Sequence, residues 1–348
     1  MIGLALLRLL PAMSPDSPIV HDDRSVTVTL SAPSASSVRL WADWQGGDAG
    51  EPMRRLDGGA WTLTTGSLSP GPHLYVFLVD GLRVPDPENR RVKNGYPGLS
   101  SIVDIPDPSL SGLPLGVTHV HEFRSPDSGR VRTVRVYTPA NFTPRSRLPV
   151  VYLLHGSTDS DRDWLALGQA GPLLERAVRE GTASPMLLVM PDGHPYPSLD
   201  VSTRAENLRW LRREIVEVIA PLLERQYHPG PGATRRAVVG ASMGGAQALH
   251  LAAAAPDLFG TVVGLSAPPD VPGGDTLKEA WQRRPARSPA VRVLLLCGRD
   301  DSFLLEARQA EAVFRSFGVA AEWTETPGGH DWSTWRDQLS RVLPRLFR

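Results

Sequence analysis

The sequence predicts two domains: a small all-β sandwich, then a larger α/β domain with a mostly parallel sheet and helices on both faces. Three observations predict this. Between about residues 22 and 106, short strands recur every ten or so residues between turn signals, with no helical period. From residue 150 onward, fully apolar runs alternate with helical stretches, the pattern of strands buried on both faces. Between these regions, Pro106 to Gly116 is rich in Pro, Ser and Gly, as linkers are. The expected limits are a tail over 1–20, the sandwich over 21–106, a linker over 107–116 and the α/β domain over 117–348.

In chain order, Ser25 to Leu30 and Ser37 to Trp41 alternate apolar and polar residues, as half-buried strands do. Ala60 to Thr64 precedes a Gly/Ser/Pro turn, and His73 to Val79 follows it. Asp80-Gly81 then signals a hairpin into Leu82-Arg83-Val84. Beyond the linker, Thr118 to Phe123 and Val131 to Tyr137 form a hairpin around Ser125 to Gly129. Buried strands are expected at 150–154, 186–190, 261–265 and 291–297, and a last strand at 321–324. Helices are expected near 170–180, 204–226, 243–255, 303–317 and 331–347. Segments 192–203 and 267–290 read as lid loops.

At 348 residues the chain exceeds usual single-domain size. Lys+Arg and Asp+Glu each number 37, so no global field draws it to nucleic acid or an anionic membrane. Cys297 is the sole cysteine, which excludes an intramolecular disulfide. The apolar opening Met1 to Leu7 lacks a basic start and is broken by Arg8, so it reads as a poor signal peptide, and a cytoplasmic location is expected. No metal-ligand spacing, phosphate loop or dinucleotide fingerprint is present, so the expectation is no metal and no cofactor. The sequence does not determine an oligomeric state.

The chemistry concentrates at Gly240-Ala241-Ser242-Met243-Gly244-Gly245. An apolar strand, Val238-Val239, runs into this G-x-S-x-G pentapeptide and an Ala-rich helical stretch follows. Strand, tight turn and helix in that order make a nucleophile elbow, which leaves the Ser242 hydroxyl exposed at the strand end. Such a serine needs a base and a group to orient the base. His330, in the loop after the last strand, is the expected base. The acid is expected in Gly298-Arg299-Asp300-Asp301, at the end of the 291–297 strand, where Asp300 and Asp301 both qualify. Backbone donors to an oxyanion are expected at Met243, directly after the nucleophile, and at Gly156 and Ser157, after the 150–154 strand.

The α/β portion resembles the esterase D family of α/β-hydrolases. The resemblance rests on Val151 to Gly156 with Trp164 downstream, Met190 to Gly193, Gly240 to Gly245, Gly298 to Asp301 and Gly329 to Trp335. It implies a serine esterase with a Ser242-Asp301-His330 triad, since related enzymes place the acid three residues after the closing glycine. It also implies a small-molecule ester substrate and no cofactor. Tyr75 to Gly81, Asp86 to Asn89 and Ser101 to Val103 resemble the immunoglobulin-like modules that precede enterochelin (siderophore) esterases. With Gly328 to Trp335, they point to that branch. There Arg204 would hold an anionic catecholate, with His155 and Trp44 as further substrate-binding candidates.

Two other readings are consistent with these residues. One is a feruloyl or acetyl esterase acting on carbohydrate, with Trp44 on a glycan-binding module. The other is a non-catalytic glycan-binding protein on a hydrolase fold. The elbow sequence does not select among substrates, and the acid loop looks more like the general family than the enterochelin branch.

Overall fold

The computed structural model describes residues 16–45, 47–95, 98–196, 200 and 204–347. The chain divides into two compact units between Pro106 and Asp107.

The first unit is all antiparallel β. One sheet runs, in order, Ile19–Val20, Val26–Ser31, Ala60–Thr64 and Arg54–Arg55. The second runs Glu51–Pro52, Val38–Ala42, Gly71–Val79, Ser100–Ile105 and Val92–Lys93, with Leu82–Val84 paired to Gly71–Val79. Alternation buries Val26, Val28 and Leu30 from one strand and Val38 and Leu40 from another, with Tyr75 and Phe77 in the same core. Trp61 is buried and its indole N–H donates to Ala32 O at 3.1 Å. The two-residue strands are too short to show a period of two, and they were not expected from sequence.

The second unit holds an eight-stranded sheet. Its strands are β1 (Val117–Arg124), β2 (Val131–Thr138), β3 (Val150–Leu154), β4 (Leu187–Pro191), β5 (Arg236–Ala241), β6 (Thr261–Leu265), β7 (Arg292–Gly298) and β8 (Ala321–Thr326). The order is β1-β2-β4-β3-β5-β6-β7-β8. β1, β2 and β4 pair antiparallel, and every later pairing is parallel. Every residue of β3, β4 and β5 is buried, which is why these strands read as continuous apolar runs.

The helices are α1 (Asp163–Ala166), α2 (Ala170–Arg179), α3 (Arg204–Arg213), α4 (Ala220–Tyr227), α5 (Met243–Ala254), α6 (Leu277–Gln282), α7 (Leu304–Ser316) and α8 (Trp332–Val342). The expected helix 204–226 is α3 and α4 joined through a π-helical turn, Glu214–Ile219. Inside it, Glu214 is fully buried against Arg132. Segment 267–290 is not all loop: α6 starts on a capping box in which Thr276 and Glu279 satisfy each other's backbone N–H. Of segment 192–203, residues 197–199 and 201–203 lie outside the described residues, as does most of the predicted tail.

After β3 the chain crosses to β4 on one side, and it later returns to β5 on the other. Such a reversal opens a crevice at the carboxyl ends of the two central strands. The loop 155–157 and Ser242 both leave the sheet there.

Candidate active site

Ser242 sits between β5 and α5 at φ 53° and ψ −119°, a strained backbone for a side chain with a Cβ. Its neighbours hold it there. The Ser242 N–H donates to Leu265 O at 2.9 Å, and its carbonyl accepts the Ala246 N–H at 3.0 Å. A Cβ on Gly240 would lie 2.0 Å from Gly244 O, and one on Gly244 would lie 2.4 Å from His155 O and 2.5 Å from Leu154 O. These are backbone atoms that cannot swing aside. Gly244→Ala is therefore expected to cost about 3 kcal/mol of stability, read as a drop of several degrees in the thermal unfolding midpoint.

β8 and Pro327-Gly328-Gly329 bring His330 to the elbow, just before α8, whose first turn is capped by the Asp331 carboxylate accepting from Thr334 N–H at 2.8 Å. The imidazole Nε2 is 2.9 Å from Ser242 Oγ. Nδ1 lies 3.0 and 3.2 Å from the two carboxylate oxygens of Asp301. An ionised carboxylate only accepts, so Nδ1 carries the proton and Nε2 is free to accept from the serine hydroxyl.

Asp301 follows β7, and its side chain is fully buried. Burial pushes its carboxyl upward, but hydrogen bonds from His330 and Ser266 and from the Phe303 N–H outweigh that, and it titrates below the ordinary aspartate value. Asp300 is exposed, so of the two adjacent acids the structure brings only Asp301 to His330. The imidazole is also boxed in by rings: Phe303 at 4.7 Å and Trp335, edge-on, at 5.0 Å between centroids.

A cavity of about 260 Å³ opens over these groups, with Ser157, Arg204, Met243, Val271, Phe303 and Trp335 in its wall. Met243 is the first residue of α5, so its N–H lies at a helix N-terminus. A Cβ on Gly156 would stand 3.7 Å from Ser242 Cβ and 2.9 Å from the Asp159 carboxylate, so this loop passes close beside the serine. Arg204 begins α3 and reaches Ser157 Oγ at 3.4 Å. It is thus a cation in the cavity wall. Val271 lies in segment 267–290, which reads as a lid loop, whereas sequence reasoning missed Phe303; an apolar residue in a loop carries no signal that separates cavity wall from core.

Two substrate-binding candidates remain. His155 is 1% exposed, with Nδ1 bonded to Gly156 O at 2.8 Å and Nε2 accepting the Gly193 N–H at 2.8 Å. The expectation that it binds substrate is corrected: it fastens the loop after β3 to the loop after β4. Arg132 secures the same second loop through the carbonyls of Asp192 and His194. Trp44 belongs to the first unit, where it is half-buried and edge-on to His73 at 5.6 Å.

A mostly parallel eight-stranded sheet, with a strained serine at a strand–helix turn and an imidazole on its hydroxyl, defines an α/β-hydrolase-like protein. The chain belongs to the putative esterase family, whose model matches residues 125–346.

Among curated relatives, an endo-1,4-beta-xylanase/feruloyl esterase of Xylanibacter ruminicola is 26% identical over 353 residues, covering 95% of this chain and 46% of the relative. The iron(III) enterobactin esterase of Escherichia coli K12 is 27% identical over 233 residues, covering 62% of this chain and 54% of the relative. The chain thus spans about half the length of the curated relatives it matches. Among solved structures, the enterobactin esterase of Shigella flexneri superposes with a TM-score of 0.69 at 19% identity, covering 93% of each chain. A ferulic acid esterase of Anaeromyces mucronatus gives 0.62 at 23% identity, over 70% of this chain and 96% of that one. At these identities the structural likeness is one of fold.

Proposed function

We propose that the protein is a serine carboxylester hydrolase of the esterase D group, working through an acyl-Ser242 intermediate. The observation that carries this reading is the unbroken chain from Ser242 Oγ through His330 to Asp301, at 2.9 and 3.0 Å. Ser242 Oγ attacks the ester carbonyl carbon while His330 Nε2 takes its proton. The carbonyl oxygen becomes an oxyanion facing the N–H of Met243 and that of Ser157 or Gly156. Collapse of the intermediate breaks the bond to the alcohol oxygen, which leaves with the proton from His330. Water then attacks the acyl-serine with His330 again as base, releasing the acid and restoring the serine. Asp301 holds the tautomer and stabilises the imidazolium.

For substrate, we propose a siderophore-type ester carrying a catecholate. The sequence likeness to an iron(III) enterobactin esterase supports it, as does Arg204 in the cavity wall. We read the first unit as an immunoglobulin-like sandwich and the site of action as cytoplasmic; cell fractionation tests the latter. Arg204→Ala is expected to raise KM for a catecholate ester about tenfold, with kcat on neutral p-nitrophenyl acetate unchanged. Steady-state kinetics on both substrates decide this.

A second reading, an esterase for feruloyl groups on carbohydrate, is favoured by the Xylanibacter relative that spans nearly this whole chain. A hydrolysis screen separates the two, using ferric and iron-free catecholate trilactones, feruloyl sugars and S-formylglutathione. Preference for feruloyl sugars would overturn the siderophore assignment. Failure of a fluorophosphonate probe to label Ser242 would return the chain to the non-catalytic class.

A further inference from the structure

Ser266 directly follows β6, whose last carbonyl, Leu265 O, receives the Ser242 N–H. It is fully buried and holds φ 49°, an unfavourable region for any residue but glycine, Asn or Asp. Its own N–H donates to Leu296 O at 2.7 Å, which fixes it to β7. Its hydroxyl accepts the Trp335 indole N–H at 3.1 Å. With that lone pair engaged, its hydrogen must find an acceptor, because a buried unsatisfied donor is costly.

The groups that feel this hydroxyl are the Asp301 carboxylate and the Cys297 thiol. Burial pushes the thiol up to about 12, so it stays neutral and the carboxylate is the stronger acceptor. Trp335 and Asp301 are also the two groups that touch His330, one by its ring edge and the other at Nδ1.

We infer that Ser266 is a positioning residue: its buried hydroxyl ties Asp301 to Trp335 and so leaves the His330 ring one orientation toward Ser242. The inference rests on the triad assignment above. Ser266 touches no reacting atom and acts only through these two neighbours. Its hydroxyl also draws charge from the Asp301 carboxylate. Without it the carboxylate is more basic, the imidazolium is better stabilised, and the base is freed only at higher pH.

The test compares Ser266→Ala with Ser266→Gly on p-nitrophenyl acetate. Glycine removes the hydroxyl and relieves the backbone strain together, so it guards against a mere folding failure. Both variants are expected to lose kcat about tenfold with KM nearly unchanged, the scale of one hydrogen bond to a charged group. In both, the acid limb of kcat/KM is expected to move upward by about half a pH unit. Wild-type kcat and acid limb in Ser266→Gly would overturn the inference, as would a loss of kcat with an unmoved limb in both. Ser242→Ala is measured alongside. If it retains activity, the triad reading falls and this inference with it; if it is inactive while both Ser266 variants behave as wild type, only this inference falls.

Discussion

Ser242→Ala is expected to lower kcat for p-nitrophenyl acetate by at least about four orders of magnitude. The reason is local. Among the described residues the hydroxyl is the group hydrogen-bonded to His330 Nε2, at 2.9 Å, and alanine at that position removes the oxygen that attacks the ester. Stability should barely change, because the backbone is held by the Leu265 and Ala246 hydrogen bonds and by the glycine contacts. Circular dichroism and the thermal midpoint should match the wild type. An active and folded variant would show that the nucleophile lies elsewhere.

The second large effect belongs to the acid. Asp301→Asn is expected to reduce kcat about 10⁴-fold, as when an amide leaves the imidazole in the wrong tautomer. A neutral amide can present its NH₂ group to Nδ1, which moves the imidazole proton to Nε2 and removes the lone pair that Ser242 requires. Asp300→Asn should change kcat less than about twofold, because that side chain faces solvent. Measuring the two variants in parallel tests the assignment between adjacent acids, and a reversal of their effects would exchange the roles. Because Asp301 titrates below the ordinary aspartate value, it stays ionised as pH falls toward that value, and its support of the imidazole is lost only below it.

The parts of this site that could be read from sequence share one property: their chemistry needs a residue type at a topologically fixed place. The elbow announces itself because only glycine tolerates backbone oxygens about 2 Å from a prospective Cβ, as at Gly240 and Gly244. Asp301 stands where a loop leaves β7, so the apolar run before it gives its position, and His330 follows the short strand β8. The choice between Asp300 and Asp301 was not legible from the residues alone, because it turns on which of two neighbours points inward.

His155 misled for a related reason. A histidine in a loop at the catalytic end of a sheet is equally suited to touching a ligand or to fastening two loops, and sequence does not give its partners. Helix α6 was missed although Thr276 and Glu279 carry a capping box, because only six helical residues follow and no amphipathic period develops. The short strands of the first unit were invisible for the same want of length. Phe303 and Ser266 act by shape and burial, which no local pattern encodes.

The reversal of strand order beside β3 divides the labour of this molecule. Atoms that would make and break bonds are anchored on strand ends where steric crowding forbids drift. Arg204 and Val271, which face an incoming molecule, hang from connecting segments outside that scaffold. On the proposed reading, exchange of those segments would redirect the protein to another ester while the groups on the strand ends stay untouched, so diversification in such proteins should accumulate in the connections and spare the sheet.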